Sequence, residues 1–557
     1  MPSRRPARVA MLEQFRADGV EFMFGNPGTV EQGFLDELRG FPDIEYILTL
    51  QESVAVGIAD GYARATQQPA LIQLHTGVGL GNAVGLLYQA MRGHAPLVVV
   101  AGEAGLRYEG LEAQMAADLV GMARPVTKWA TRVVDPDSTL RTLRRAFKVA
   151  ATEPRGPVLV VLPADVMDRT TDEPVVPTSY LDTSSAPSDS TLAQAASLLV
   201  GARKPLIIAG DGVHTAHAQE ELGTFARLWG AEVWGADWAE VNLPVDHPCY
   251  AGQLGHMFGE NSARVTSQAD AVLIVGTYVL PEVYPALSGV FATGAKVVHI
   301  DLDTGAIAKN FPVDLGVVAH PKPALAGLAR VLEGLMGPAD TEQAAARVRE
   351  LAGRKEEQLA RETEQDRLRS DAVPMPASVF ARELACRLPE GAILFDEALT
   401  SSPDIFRYLR PNLPGHWFQT RGGSLGVGIP GAIGAKLAHP GREVIGFTGD
   451  GGSMYTIQAL WTAARHQIGA KFVICNNGSY ELLKDNIAQY WNEQGIEAHA
   501  FPDLFDLKPE IGFVELSQSL GVPAMRVEKA DQVPAAVEAM LAQPGPFLVD
   551  LVTARAT

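Results

Sequence analysis

Three consecutive α/β domains, each a mostly parallel sheet flanked by helices, are predicted by three features. Short apolar runs alternate with stretches of helical periodicity through most of the chain. Several of these runs end in glycine-rich turns, as strands that feed helices do. The chain has 557 residues, more than one hydrophobic core fills.

The first domain is expected over 1–180. Ala7–Ala17 reads as a helix. Phe22–Phe24 is a short strand ending in the turn Gly25-Asn26-Pro27-Gly28-Thr29, which leads to a helix from Glu31. Glu45–Leu50 is the next strand. Gln51-Glu52 then opens a helix with Val54, Ile58, Ala59 and Tyr62 on its apolar side. Strand Ala70–Leu74 precedes the loop His75–Gly81 and a helix from Asn82. Leu97–Ala101 and Val158–Leu162 complete the sheet. Tyr180–Ser190 reads as a linker.

A central domain is expected over 190–336. Its strands are Pro205–Ala209, Glu232–Gly235, Ala271–Val275, Val297–Asp301 and Gly316–Ala319. Gly210-Asp211-Gly212 and the acids Asp301 and Asp303 fall short of a dinucleotide fingerprint, since Gly-x-Gly-x-x-Gly is missing. Residues 337–373 read as a charged helical connector. A third domain, over 374–557, has strands Ile393–Phe395, Val444–Phe447, Phe472–Cys475 and Phe547–Val552.

Hydrophobic residues make up 47% of the chain and charged ones 20%, which fits large buried cores. The net charge of −19 argues against nucleic-acid or anionic membrane partners. Cys249, Cys386 and Cys475 share no metal-ligand spacing and form no disulfide framework, so a cytoplasmic setting is expected. No apolar run is long enough to span a membrane.

The most informative stretch is Val444–Tyr480. A buried strand leads into Gly449-Asp450-Gly451-Gly452. A helical pattern (Ile457, Leu460, Trp461, Ala464) follows, and a second strand ends in Asn476-Asn477-Gly478-Ser479. A carboxylate and a carboxamide thus end neighbouring parallel strands, where open sheets bind ligands. Asp450, the Asn477 side chain and a nearby carbonyl offer hard oxygen ligands suited to Mg²⁺, with a phosphate completing the shell. The glycine turn would cradle that phosphate. Glu52, between a strand and a helix, can project its carboxylate beyond the sheet edge.

Gly-Asp-Gly paired with Asn-Asn across a helix resembles the motif of thiamine diphosphate (ThDP) enzymes, and Glu52 matches the glutamate those enzymes carry early in the chain. The resemblance spans nearly the whole sequence, in the order pyrimidine-binding, central and diphosphate-binding domain. Phe24–Thr29, Ile47–Glu52, Gly57–Ala63, Leu74–Gly77, Ala459–Ala464 and Asn476–Gly478 are most similar to benzoylformate decarboxylases. The resemblance implies ThDP and Mg²⁺ as cofactors. It implies Asp450 and Asn477 as metal ligands through side chains, and Ser479 through its main-chain carbonyl. Glu52 would hydrogen-bond the aminopyrimidine, His75 would handle protons over the thiazolium, and Thr29 would meet the substrate carboxylate. Gly423 would accept the cofactor's amino group and Leu425 would hold the cofactor bent. Asn26, Pro27, Gly28, Thr400, Gly449, Gly451, Gly452, Ser453 and Tyr480 complete the implied cofactor-binding set.

Two departures are visible. The stretch Ile274–Tyr284 has no histidine where benzoylformate decarboxylases carry a second one; Glu282, Tyr284 or His256 are the candidates to replace it. Glu481–Asn486 replaces a more apolar segment, and Leu399 stands where a hydroxyl residue is expected. The implied activity is non-oxidative decarboxylation of a benzoylformate-like 2-oxo acid to an aldehyde, with carboligation as a second capacity. The alternative is a carbon–carbon lyase or ligase of acetolactate-synthase or 2-hydroxyacyl-CoA-lyase type, acting on an aldehyde or acyl substrate. The resemblance also implies a homodimer or homotetramer with the site at a subunit interface.

Overall fold

The computed structural model describes residues 4–255 and 257–554. Three six-stranded sheets, parallel throughout, follow one another along the chain. The first holds β1 (Phe22–Gly25), β2 (Glu45–Leu48), β3 (Ala70–His75), β4 (Leu97–Glu103), β5 (Trp129–Arg132) and β6 (Val158–Pro163), in spatial order 2-1-3-4-6-5. The central sheet holds β7 (Pro205–Ala209), β8 (Glu232–Gly235), β9 (Tyr250–Gln253), β10 (Ala271–Val275), β11 (Lys296–Asp301) and β12 (Leu315–Val318), in order 9-8-7-10-11-12. The third holds β13 (Ile393–Glu397), β14 (Trp417–Gln419), β15 (Val444–Gly449), β16 (Lys471–Asn476), β17 (Ala524–Val527) and β18 (Phe547–Val552), in order 14-13-15-16-18-17. The first and third sheets therefore share one topology. In both, the winding direction reverses between the first and third strands, which opens a crevice at the strand ends there.

The inner strands are mostly apolar and buried, as sheets covered on both faces require. Four strands lacked such a run in the sequence: β5, β9, β14 and β17. All four lie at sheet edges, and β5 and β9 are only half-covered. Two further differences concern glycine. The helix expected from Asn82 begins at Thr76 and runs to Arg92. Gly77 and Gly79 are there for room: a Cβ on Gly77 would press on Ala117 at 2.8 Å, and one on Gly79 on Glu52 at 3.2 Å. The turn after β15 is a single helical turn, Asp450–Ser453, and the next helix starts only at Ala459.

Residues 338–368 form one long helix whose buried residues are only Ala344, Leu351 and Asp366. It is held by polar contacts. Arg347 donates to the carbonyls of Trp229 and Gly230, Lys355 to that of His247, and Arg407 pairs with Asp366 at 2.6 Å.

The first and third domains meet through helices Glu52–Thr66 and Gly428–Ala438. A Cβ on Gly61 would overlap the carbonyl of Gly431, and one on Gly434 the carbonyl of Ile58, so the two backbones touch. Leu48, at the end of β2, donates its N–H to His466 and accepts from Thr462. That ties the approach to Glu52 to the helix Ala459–Arg465, which follows Asp450. Arg64 then joins all three domains. Fully buried, it pairs with Glu240 at 2.8 Å and Asp60 at 3.4 Å and donates to the carbonyls of Ala239 and Gln419. Its guanidinium lies over the rings of Phe395 and Phe418.

Replacing Arg64 by Met keeps much of the packing but leaves Asp60 and Glu240 without their cation. An Arg64→Met variant is expected to lose about 3–5 kcal/mol, the usual effect of removing one partner of a buried pair, read from the midpoint of denaturant unfolding.

Candidate active site

Two groups of side chains collect at the carboxyl ends of the first and third sheets. In the first domain, Gln51 caps the helix that begins at Glu52, accepting the N–H groups of Ser53 and Val54. Glu52 is buried, and two amides hold its carboxylate. Asn26 Nδ2 lies 3.3 Å from Oε1 and Asn82 Nδ2 3.0 Å from Oε2. At the end of β3, His75 Nδ1 is 2.9 Å from Glu31 Oε2. Burial raises the Glu31 carboxyl above the ordinary carboxylate range, against the opposing pull of His75. Gly28 faces the same ring, and a Cβ there would overlap His75 Nδ1. Pro27 and Thr29, in the same turn, are exposed.

In the third domain, β15 and β16 pair in parallel with Gly449 opposite Cys475. Asp450 is buried just beyond, which raises its pKa. Its Oδ2 accepts the N–H of Gly478 at 2.6 Å and its Oδ1 that of Gly451 at 2.7 Å. Asn477 Oδ1 accepts from the Ser479 N–H at 3.0 Å, and Ser453 Oγ donates to the Asp450 carbonyl. Tyr480 seats against the loop, since a Cβ on Gly451 would overlap its ring, whereas Gly449 and Gly478 face open space. Gly452 is buried beside them. Thr400 is half-buried in the turn Leu399–Ser401 after β13. Gly423, exposed and at φ +71°, and half-buried Leu425 lie on the loop after β14.

The donor set suits a hard cation. Among the described residues no three His, Cys, Asp or Glu side chains converge on a metal position. A cation here would draw on the Asp450 carboxylate, already desolvated and without a positive partner, together with amide and carbonyl oxygens. The uncrowded faces of Gly449 and Gly478 leave room for a phosphate against the backbone.

Three residues given no site role in the sequence do more. Glu31 partners His75 and Asn82 partners Glu52. Glu397, fully buried at the end of β13, accepts the N–H groups of Gly426 and Gly428 and the Thr448 hydroxyl, and so fixes the loop that carries Gly423 and Leu425. A glutamate closing an apolar strand is the signal that could have found it.

The candidates in the central domain lie apart. Glu282 is buried against the Ser262 hydroxyl, and Tyr284 is exposed and stacked on Phe258 at 5.4 Å. His256 falls outside the described residues. Asp211 and Asp301 line a cavity of about 250 Å³ where the three domains meet. Asp211 is engaged there by Arg421 at 2.9 Å, the Asn242 amide and the N–H groups of Ala239 and Glu240.

Comparison with known proteins identifies the class. The thiamine pyrophosphate enzyme N-terminal TPP-binding domain matches residues 7–122, the central domain 192–328 and the C-terminal TPP-binding domain 400–551. A benzoylformate decarboxylase from Pseudomonas aeruginosa is 31% identical over 549 residues, 98% of each chain. An acetolactate synthase large subunit from Haemophilus influenzae is 28% identical over 534 residues, 94% of this chain and 90% of its own. The structure of a thiamine diphosphate-dependent 4-hydroxybenzoylformate decarboxylase from Rhodococcus jostii superposes with a TM-score of 0.84 at 27% identity, covering 99% of both chains. The chain belongs to the thiamine pyrophosphate enzyme family and is a ThDP-dependent enzyme. No helix among the described residues is long and apolar enough to cross a membrane.

Burial pushes the Glu397 carboxyl up to about 7, above its ordinary 4.5. A raised folded-state pKa means the folded protein holds a proton that the unfolded chain releases, so this contribution is full below about 4.5 and is lost as pH rises toward 7. The difference in melting temperature between wild type and Glu397→Gln, which cannot titrate, is expected to shrink between pH 4.5 and 7 and to level off above.

Proposed function

We propose that this enzyme catalyses non-oxidative decarboxylation of a 2-oxo acid, benzoylformate in type, to an aldehyde. The observation that carries the reading is the His75–Glu31 pair beside an amide-held Glu52. A proton-handling imidazole sits at the strand end next to a buried carboxylate. In the reaction the bond between the carboxylate and the carbonyl carbon breaks, CO₂ leaves, and that carbon takes up a proton.

Mg²⁺ would be held by the Asp450 carboxylate, the Asn477 carboxamide oxygen and the Ser479 carbonyl, with the diphosphate against Gly449–Ser453. Bound ThDP supplies the electron sink that makes loss of CO₂ feasible. The chain's own residues do the rest. Glu52, fixed by Asn26 and Asn82, presents a carboxyl to the aminopyrimidine. Leu425 would pack against the cofactor, and Thr400, Gly423 and Tyr480 would help to hold it. Thr29 offers a hydroxyl to the substrate carboxylate. With Glu31 ionised, the proton on His75 rests on Nδ1, leaving Nε2 to exchange one with the substrate carbon.

The site is assigned between two copies of the chain. Leu50 and Val78 flank the Glu52 group, and Met454 and Tyr455 follow Asp450. All four are between 41% and 60% exposed, an apolar rim that a second subunit would cover.

Two tests separate the parts of this reading. Glu52→Gln is expected to lower CO₂ release from the best 2-oxo acid by at least a hundredfold while ThDP still binds; unchanged turnover sinks the role of Glu52. Asp450→Ala is expected to abolish Mg²⁺-dependent ThDP binding in calorimetry. Mass spectrometry of products from pyruvate, benzoylformate and added aldehydes distinguishes aldehyde release from carboligation, and ligated products alone would favour the lyase or ligase alternative.

A further inference from the structure

β2 is an edge of the first sheet, paired on one side with β1. On its other side the peptide groups of Leu48 meet no strand, and side chains of the third domain take that place. Thr462 Oγ1 donates to the Leu48 carbonyl at 3.0 Å, and the Leu48 N–H donates to His466 Nε2 at 3.1 Å. Thr462 lies in the helix Ala459–Arg465 and His466 caps its end, four positions on and so on the same face. The chain then reaches Glu52 within a few residues. Thr49 closes back on the Gly25 carbonyl with both its N–H and its hydroxyl, and Gln51 caps the Glu52 helix.

The direction of the Leu48–His466 bond fixes the state of the imidazole. A peptide N–H can only donate, so Nε2 carries no proton and Nδ1 carries the single one. Nδ1 faces an acceptor, Glu45 Oε1, at 3.3 Å. An imidazolium has a proton on each nitrogen. Its Nε2–H would oppose the Leu48 N–H, and neither would have an acceptor. The His466 side chain is only 12% exposed, so water replaces the lost partner poorly. The charged groups that face the ring are Glu45 on β2 and Arg465 on its own helix. Burial lowers the His466 pKa and Arg465 adds to this, whereas Glu45 and the carbonyl end of the helix pull it up.

We propose that His466 is a positioning residue for Glu52 that acts only as the neutral imidazole. Its acceptor nitrogen holds the end of β2 against the third domain, and protonation releases that strand end and slackens the start of the Glu52 helix. The importance of Glu52 rests on the decarboxylase reading, whereas the tie itself stands on the hydrogen bonds of Leu48. The ring is less basic in the folded chain than its ordinary 6.5. Its contribution is therefore full above about 6.5 and is lost as pH falls through the lower folded value.

The test is amide hydrogen exchange of the ThDP- and Mg²⁺-loaded enzyme at about pH 7.5 and about pH 5.5, on either side of the histidine range. Rates are corrected for the intrinsic pH dependence of exchange and read on peptides that cover Leu48 and Ser53–Val54. His466→Gln offers a carbonyl acceptor that does not titrate, and His466→Leu offers none. In wild type the protection of Leu48 is expected to fall about fivefold on acidification, the scale of one hydrogen bond, with a smaller fall at Ser53 and Val54. In His466→Gln the change is expected to stay below about twofold, and His466→Leu is expected to lack the Leu48 protection at both pH values. Between the same pH values kcat/KM for CO₂ release from the best 2-oxo acid is expected to fall more steeply in wild type than in His466→Gln. Equal acid loss of protection in wild type and His466→Gln, or full protection of Leu48 in His466→Leu, overturns the tie. A loss at Leu48 that leaves Ser53, Val54 and the pH profile of kcat/KM unmoved overturns the positioning role. The expected exchange pattern at Leu48, Ser53 and Val54 with no CO₂ from any acid supports the role of His466 and overturns the decarboxylase reading instead.

Discussion

The burial of Arg64 is the constraint on which the architecture depends. A guanidinium without water must be fully paired, and its partners come from three domains: Asp60 from its own helix, Glu240 and Ala239 from the central domain, Gln419 from the third. Breaking any domain away would expose or orphan a charge. The glycine contact between helices Glu52–Thr66 and Gly428–Ala438 acts in the same direction through packing, because backbones that touch cannot slide without collision. Glu52 begins the first of these helices, and the loop bearing Leu425 leads into the second. The contact that joins the domains therefore also fixes where the candidate chemistry stands.

The same economy appears within the site. Its acidic groups are immobilised by short-range donors. Amide side chains hold Glu52, backbone N–H groups hold Asp450 and Glu397, and a buried carboxylate orients His75. Groups fixed on strand ends by their own hydrogen bonds need little reorganisation when a ligand arrives. The wall of a cavity beside His75 is built differently. It is a loop with exposed Tyr108, Leu111 and Met115, attached through Asp165 and Arg132. Rigid strand ends carry the residues of the cofactor motif, whereas a loop carries the cavity wall.

That division explains what could be read from the sequence. Inner strands are continuous apolar runs because both faces are covered, so nearly all of them were visible. The unseen strands β5, β9, β14 and β17 are edges of only three or four residues, too short for a pattern to stand out. Asp450 and Asn477 were legible because their spacing is local and glycine marks the turns. Glu31, Asn82 and Glu397 were not, because their partners lie 44, 30 and about 30 positions away and only folding shows which residue a carboxylate will meet. Arg64 was hidden for the same reason, its partner Glu240 being 176 positions on. The glycines of the helix Thr76–Arg92 misled in the other direction. They looked like a loop because glycine is a poor helix former, yet they are required by the closeness of Ala117 and Glu52.

Relatives of about 30% identity include both a decarboxylase and an acetolactate synthase. An anchor for diphosphate and metal cannot separate these outcomes, because it holds the cofactor and does not reach the carbon whose fate distinguishes aldehyde release from ligation. The discrimination must lie in groups that reach that carbon. A proton source favours aldehyde release, whereas a dry pocket with space for a second carbonyl favours ligation. His75, which contacts Glu31 and has room for its ring because Gly28 carries no side chain, is the group at the strand end next to Glu52 that we propose for that role. That feature weighs toward protonation, and it does so through residues that the cofactor motif does not contain.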